Sequence, residues 1–152
     1  MVKQYKKMET DIGPLTLCAN DKGMTHVFFG WKEGQEEEQN FFLTKAALEI
    51  EEYLKGERKH FTLPLFPKGT PFQERVWDAL REIPYGETRT YSDIAKRIGK
   101  PKAYRAIGMA NHRNPLSILI PCHRVIGADG SLVGYGGGTA IKEYLLELEK
   151  GN

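Results

Sequence analysis

The sequence predicts an α+β protein. Residues 1–68 read as a small N-terminal α/β domain, a short antiparallel sheet plus a helix, and residues 69–152 as a mainly helical C-terminal domain with a helix-turn-helix. Three observations carry this reading. Short β-prone runs crowd the first third of the chain. Pro64, Pro67, Gly69 and Pro71 then cluster within eight residues and mark a boundary. Beyond them, apolar residues recur at three and four positions, the helical period. With 152 residues, 40% hydrophobic and 28% charged, the composition is that of a globular protein. At this size roughly two-thirds of the surface is buried on folding, so the core needs neither a metal nor a disulfide.

Residues 15–19 and 24–29 are the β-prone runs, and Asn20-Asp21-Lys22-Gly23 between them reads as a hairpin loop. Residues 33–38 form an acidic surface loop. Leu43, Ala46, Ala47, Ile50, Tyr53 and Leu54 share one face of a helix closed by Gly56. Past the boundary, Phe72, Val76, Ala79, Leu80 and Ile83 line a helix that starts at Thr70-Pro71 and stops at Pro84-Tyr85-Gly86. Ser92 is placed to cap a short helix bearing Ile94, Ala95 and Ile98 and ended by Gly99. A turn of Lys100-Pro101-Lys102 leads to a second helix with Ala103, Ala106, Ile107 and Ala110 on its inner face. The pair suits either a plain helical hairpin or a helix-turn-helix. Asn114-Pro115 breaks the second helix. Leu116, Ile118, Leu119 and Ile120 then form a buried strand that delivers Pro121-Cys122-His123-Arg124-Val125. Gly127-Ala128-Asp129-Gly130 is a turn and Gly134-Tyr135-Gly136-Gly137-Gly138 a glycine loop. The final helix carries Ile141, Tyr144, Leu145 and Leu148.

The net charge of +2 hides an asymmetry. Residues 89–124 hold eight basic side chains (Arg89, Lys96, Arg97, Lys100, Lys102, Arg105, Arg113 and Arg124) against one acid, Asp93. Such a stripe suits a solvated helical face or a phosphate backbone. It falls on the paired helices, which favours DNA. No apolar run approaches the roughly 18 residues of a membrane span. The N-terminus has lysines without the apolar core of a secretion signal.

Two cysteines, Cys18 and Cys122, are too few for a disulfide framework and point to a reducing, cytoplasmic setting. Cys18, in a β-prone run, reads as core. Cys122 reads either as a structural thiol or as a nucleophile. The proline before it fixes its position, and His123 and Arg124 supply a base and a positive charge nearby in sequence, as a reactive thiol requires. His26, His60, His112 and His123 lack metal-ligand spacing, so neither a metal nor any other cofactor is expected. The glycine loop lacks the marks of a P-loop or a dinucleotide fingerprint. It suits a connector or a backbone that closes on a flat ligand, with Tyr135 as its wall.

Pro121-Cys122-His123-Arg124-Val125, after Asn114-Pro115 and Ile118-Leu119-Ile120 and before Gly134-Tyr135, resembles the O6-alkylguanine-DNA alkyltransferases, over about residues 70–149. The resemblance implies direct, irreversible, stoichiometric repair of double-stranded DNA carrying O6-alkylguanine, with no membrane partner, by a monomer. The helix-turn-helix would enter the minor groove, the damaged base would be flipped out, and its alkyl group would pass to Cys122. His123, through a water, and Glu149 would generate the thiolate, and Asn114 would order the turn before the active-site strand. Tyr91 would donate to the base. Arg105 would fill the vacated stack, with Ala106, Asn111, Arg113 and Arg124 also at the DNA. The carbonyls of Cys122 and Val125 would accept from the guanine amino group, and Tyr135 and Gly136 would close over it. Many family members have serine where this chain has Gly136, which offers only its backbone amide to a bulky adduct. The resemblance also admits O4-methylthymine as a substrate. The other reading is a non-catalytic lesion-binding or regulatory helix-turn-helix protein.

Overall fold

The architecture was derived from a computed structural model that describes residues 3–32, 37–132 and 135–151. It is α+β and divides into two compact units. One comprises Met1–Lys68 with Pro115–Leu119, the other Gly69–Asn114 with Ile120–Asn152.

The first unit is built on an antiparallel sheet in the order β1-β2-β3, with β1 at Gln4–Thr10, β2 at Gly13–Ala19 and β3 at Met24–Phe29. The two β-prone runs are β2 and β3. Asn20 shapes the loop between them, its side chain accepting from the amides of Lys22 and Gly23. Strand β1 is absent from the sequence-based reading. Its residues show no apolar alternation, and its partner selects it, pairing from Gln4 opposite Ala19 to Thr10 opposite Gly13. Helix α1 (Phe41–Leu54) is capped by the Asn40 side chain, which accepts from the amides of Phe42 and Leu43. Leu15, Leu17, Met24, Leu43, Ala46, Ile50 and Tyr53 form the core. The 115–119 segment joins them: the Val27 amide donates to the Pro115 carbonyl at 2.8 Å, and Leu116 is fully buried. Cys18 is buried as expected, and the Thr25 hydroxyl lies 3.2 Å from its sulfur. Of the expected acidic loop, residues 33–36 lie outside the described residues. Glu37 and Glu38 sit along β1, where Glu37 accepts from the Lys7 amide.

In the second unit, α2 (Pro71–Arg81) opens with a reciprocal cap between Thr70 and Gln73. A short parallel pair, β4 (Arg89–Thr90) with β5 (Val125–Ile126), ties the segment before α3 to the one after Cys122. Helix α3 (Tyr91–Arg97) is capped not by Ser92 but by Thr90, whose hydroxyl accepts from the Asp93 amide while the Asp93 carboxylate accepts from the Thr90 amide. Asp93 at the third helical position makes that cap a two-way box, which Ser92 could not form. Helix α4 (Tyr104–His112) buries Ile107, Ala110 and Asn111. Ala106, expected inward, is exposed. Trp77 of α2 donates its ring N–H to the Ala110 carbonyl of α4 at 2.8 Å. Helix α5 (Thr139–Lys150) turns Lys142, Leu145, Leu146 and Glu149 inward, while Tyr144 is exposed. No helix among the described residues is long and apolar enough to cross a membrane.

Candidate active site

Cys122 does not end a strand as the sequence suggests. It opens a single turn of 3-10 helix, Cys122–Arg124, entered from Pro121. The proline has no amide to offer, and the Cys122 amide turns back to the Ile120 carbonyl at 2.8 Å, which tightens the chain too far for a sheet ladder. Two asparagines secure this turn. Asn114 donates to the Ile120 carbonyl at 2.9 Å and Asn111, from α4, to the Cys122 carbonyl at 3.3 Å. Asn111, which the resemblance names at the DNA, is thus buried against the thiol's own peptide.

The turn carries Cys122, His123 and Arg124 into the interior together, and all three are buried. Glu149 meets them from the last turn of α5 and is the centre of the arrangement. Its Oε2 receives His123 Nε2 at 2.7 Å and Arg124 Nη2 at 3.0 Å, and its Oε1 receives Arg124 Nε at 2.8 Å and the Gly86 amide at 3.0 Å. A carboxylate holding four donors is anionic, since a proton on either oxygen would displace one of them. Arg124 also donates Nη1 to the Ile83 carbonyl at 2.7 Å and lies over the Tyr85 ring. It was expected at the DNA. It is instead spent inside the protein, because a buried Glu149 needs a fixed counter-charge and the planar guanidinium supplies two parallel donors.

Burial lowers the His123 pKa below the ordinary imidazole value. Glu149 opposes the shift, and Arg124 and Lys142 reinforce it. The ring is therefore neutral near pH 7. With Nε2–H given to Glu149, its lone pair is on Nδ1, the tautomer a general base needs.

Tyr91 opens α3 and Tyr135 lies in the glycine loop. Burial raises the pKa of both phenols, most for Tyr135, and negative charge at Cys122 raises both further, so both stay protonated as donors beside the thiol. The Val125 carbonyl accepts from Lys142 Nζ at 2.5 Å. Lys142 is fully buried. Burial lowers its pKa, and negative charge at Cys122 works against that. Sequence reasoning passed over this cation. Its signal was the spacing 142, 145, 146 and 149, which sets a lysine and a glutamate on the apolar face of α5.

Arg105, Ala106 and Arg113 are exposed on or just beyond α4, at the surface and apart from the buried cluster. Gly136 is exposed, and among the described residues a Cβ there would meet only the His112 carbonyl, at 3.9 Å, so a serine would fit among them. Gly134 lies outside the described residues. Among those residues no three His, Cys, Asp or Glu side chains gather as they would around a metal ion.

Two family descriptions match the chain end to end. The 6-O-methylguanine DNA methyltransferase ribonuclease-like domain covers residues 3–67 and the 6-O-methylguanine DNA methyltransferase DNA binding domain residues 71–151. The methylated-DNA–protein-cysteine methyltransferase of Methanosarcina barkeri is 52% identical over 159 residues, spanning 97% of this chain and 98% of its own. The constitutive methylated-DNA–protein-cysteine methyltransferase of Bacillus subtilis is 47% identical over 156 residues, spanning 96% and 94%. Among solved structures, Mycobacterium tuberculosis OGT in complex with DNA matches with a TM-score of 0.90 at 45% identity, over 97% of this chain and 93% of that one. On the sequence, the fold and the buried cysteine alike, the chain belongs to the 6-O-methylguanine DNA methyltransferase family.

Proposed function

We propose that the protein repairs DNA by moving the O6-alkyl group of a guanine irreversibly onto Cys122, one group per chain. The observation that carries this is the buried Cys122–His123–Glu149 cluster, in which the 2.7 Å bond from His123 Nε2 to the Glu149 carboxylate leaves Nδ1 to accept a proton. The Cys122 proton passes through an intervening water to His123, and the imidazolium is stabilised by Glu149. The thiolate attacks the alkyl carbon, an S–C bond forms and the C–O6 bond breaks, with its electron pair left on the guanine. Tyr91 protonates the departing base and recovers a proton from His123. The proton of the thiol thus ends on guanine and the alkyl group on sulfur. A thioether has no route back to the thiol here, so the reaction stops after one turnover.

For the base to reach a buried sulfur it leaves the duplex. Helices α3 and α4 act as a helix-turn-helix on the minor groove, and Arg105 occupies the gap left by the flipped nucleotide. Arg113 and the other exposed cations of the basic segment hold phosphates. Ala106, exposed on α4, lets the backbone lie close to the groove floor. The carbonyls of Cys122 and Val125 accept from the guanine amino group, and Tyr135 and Gly136 close over the base. The protein works as a monomer and in the cytoplasm, where the thiol stays reduced.

An oligonucleotide duplex bearing O6-methylguanine labelled in the methyl group tests this. Label is expected on the protein up to one equivalent, with the added methyl located on Cys122 by mass and none in Cys122→Ala. Turnover beyond one equivalent, or label retained on DNA, would refute it. Arg105→Ala is expected to slow transfer from duplex DNA far more than from free O6-benzylguanine, which needs no extrusion.

A further inference from the structure

The second unit exposes three large apolar side chains among its described residues: Tyr104 at 56%, Met109 at 56% and Tyr144 at 39%. Two of the three lie on α4, the helix at the centre of the basic segment. Lys96, Arg97, Lys100, Lys102, Arg105 and Arg113 are exposed in the same stretch. A lone exposed apolar residue is ordinary. Two on one nine-residue helix, ringed by cations, call for a partner that is anionic at its rim and apolar within.

Helical spacing sharpens the point. Arg105, Met109 and His112 stand at i, i+4 and i+7, one stripe, and all three are exposed. Met109 is therefore one turn along the helix from Arg105 and on the same side. The minor groove of duplex DNA meets both requirements, with phosphates at its edges and base edges and stacking faces inside. Unbranched methionine is among the side chains that proteins insert between base steps there.

We propose that Met109 is a second wedge, entering the minor groove one helical turn from Arg105 and loosening the stack beside the extruded nucleotide, with Tyr104 covering the groove wall at the start of α4. This rests on the repair reading above. Arg105 supports the gap the base leaves, while Met109 lowers the cost of opening it. Repair then favours lesions at easily unstacked pyrimidine–purine steps over those in stiff A-tracts.

The test compares transfer to Cys122 from O6-methylguanine in a duplex and from free O6-benzylguanine, in wild type, Met109→Ala, Met109→Leu and Tyr144→Ala. The ratio of duplex to free-base rates is expected to fall about tenfold in Met109→Ala, a part of the cost of unstacking one step. It should recover in Met109→Leu and hold its wild-type value in Tyr144→Ala. A 2-aminopurine beside the lesion should brighten less on binding Met109→Ala. An unchanged ratio in Met109→Ala, or an equal loss on both substrates, would overturn the wedge while leaving repair intact. A wild-type protein that reacts with the free base but never with the duplex would overturn the repair reading, and the wedge with it.

Discussion

Arg124 holds Glu149 by both carboxylate oxygens, Nε to Oε1 at 2.8 Å and Nη2 to Oε2 at 3.0 Å. The pair is buried, so neither partner can turn to water if the other is lost. Breaking a buried pair from one side costs about 3–5 kcal/mol. Arg124→Ala is expected to destabilise the fold by that amount in urea or thermal melts, and to slow alkyl transfer by releasing Glu149 from His123. A loss below about 1 kcal/mol, the scale of surface pairs, would contradict the arrangement.

The pH dependence follows from His123. Its folded-state pKa is below the ordinary value of about 6.5, with burial the main cause, Glu149 pulling upward, and Arg124 and Lys142 pushing downward. Transfer by a neutral His123 should therefore keep its rate at pH 6.5 and lose it only at lower pH. Stability has the same sign. The unfolded chain takes up the proton first, so the contribution is complete above about pH 6.5 and drains away as pH falls toward the folded-state value. Single-turnover rates and melts between pH 5 and 8 check both. A midpoint for transfer above 6.5 would show that the imidazole is not held neutral.

Lys142 separates stability from reactivity. Lys142→Met removes a buried cation and leaves the Val125 carbonyl without that donor, two effects of opposite sign. Stability should stay within about 2 kcal/mol of wild type. Cys122, deprived of the positive charge nearby, should alkylate about tenfold more slowly with iodoacetamide at pH 7, the worth of one hydrogen bond to a charged group. Equal rates in the two proteins would remove Lys142 from any role at the thiol.

The start of α3 offers a local test. Thr90→Ala deletes one half of its capping box and should cost about 1 kcal/mol, whereas Ser92→Ala should cost less than half of that. The reverse order would restore Ser92 as the cap.

Thr70-Pro71, Gly56 and Gly99 mark helix ends through local chemistry that needs no partner, and the hairpin at Asn20 is equally local. β1 was invisible because its pairing with β2, and not its own pattern, makes it a strand. In the site, Cys122 and His123 are legible from the chain, while Glu149 is legible only through the family resemblance, since it stands 26 positions along the chain from the imidazole it orients. The burial of Arg124, Asn111 and Lys142 is not legible in the chain, because basic and amide side chains usually face outward. All three are exceptions that a buried ion pair and two backbone carbonyls make possible.

The bond from Asn111 to the Cys122 carbonyl has a mechanical side. α4 is fastened at Ala110 to Trp77, at Asn111 to the cysteine's own peptide, and just beyond, at Asn114, to the residue before Pro121. With three stitches in five residues, the helix that carries Arg105 and the peptide that carries the sulfur shift as one rigid piece. On the proposed reading, the reach from groove to sulfur would then be a fixed length, the same for every base drawn from the duplex whatever the surrounding DNA sequence.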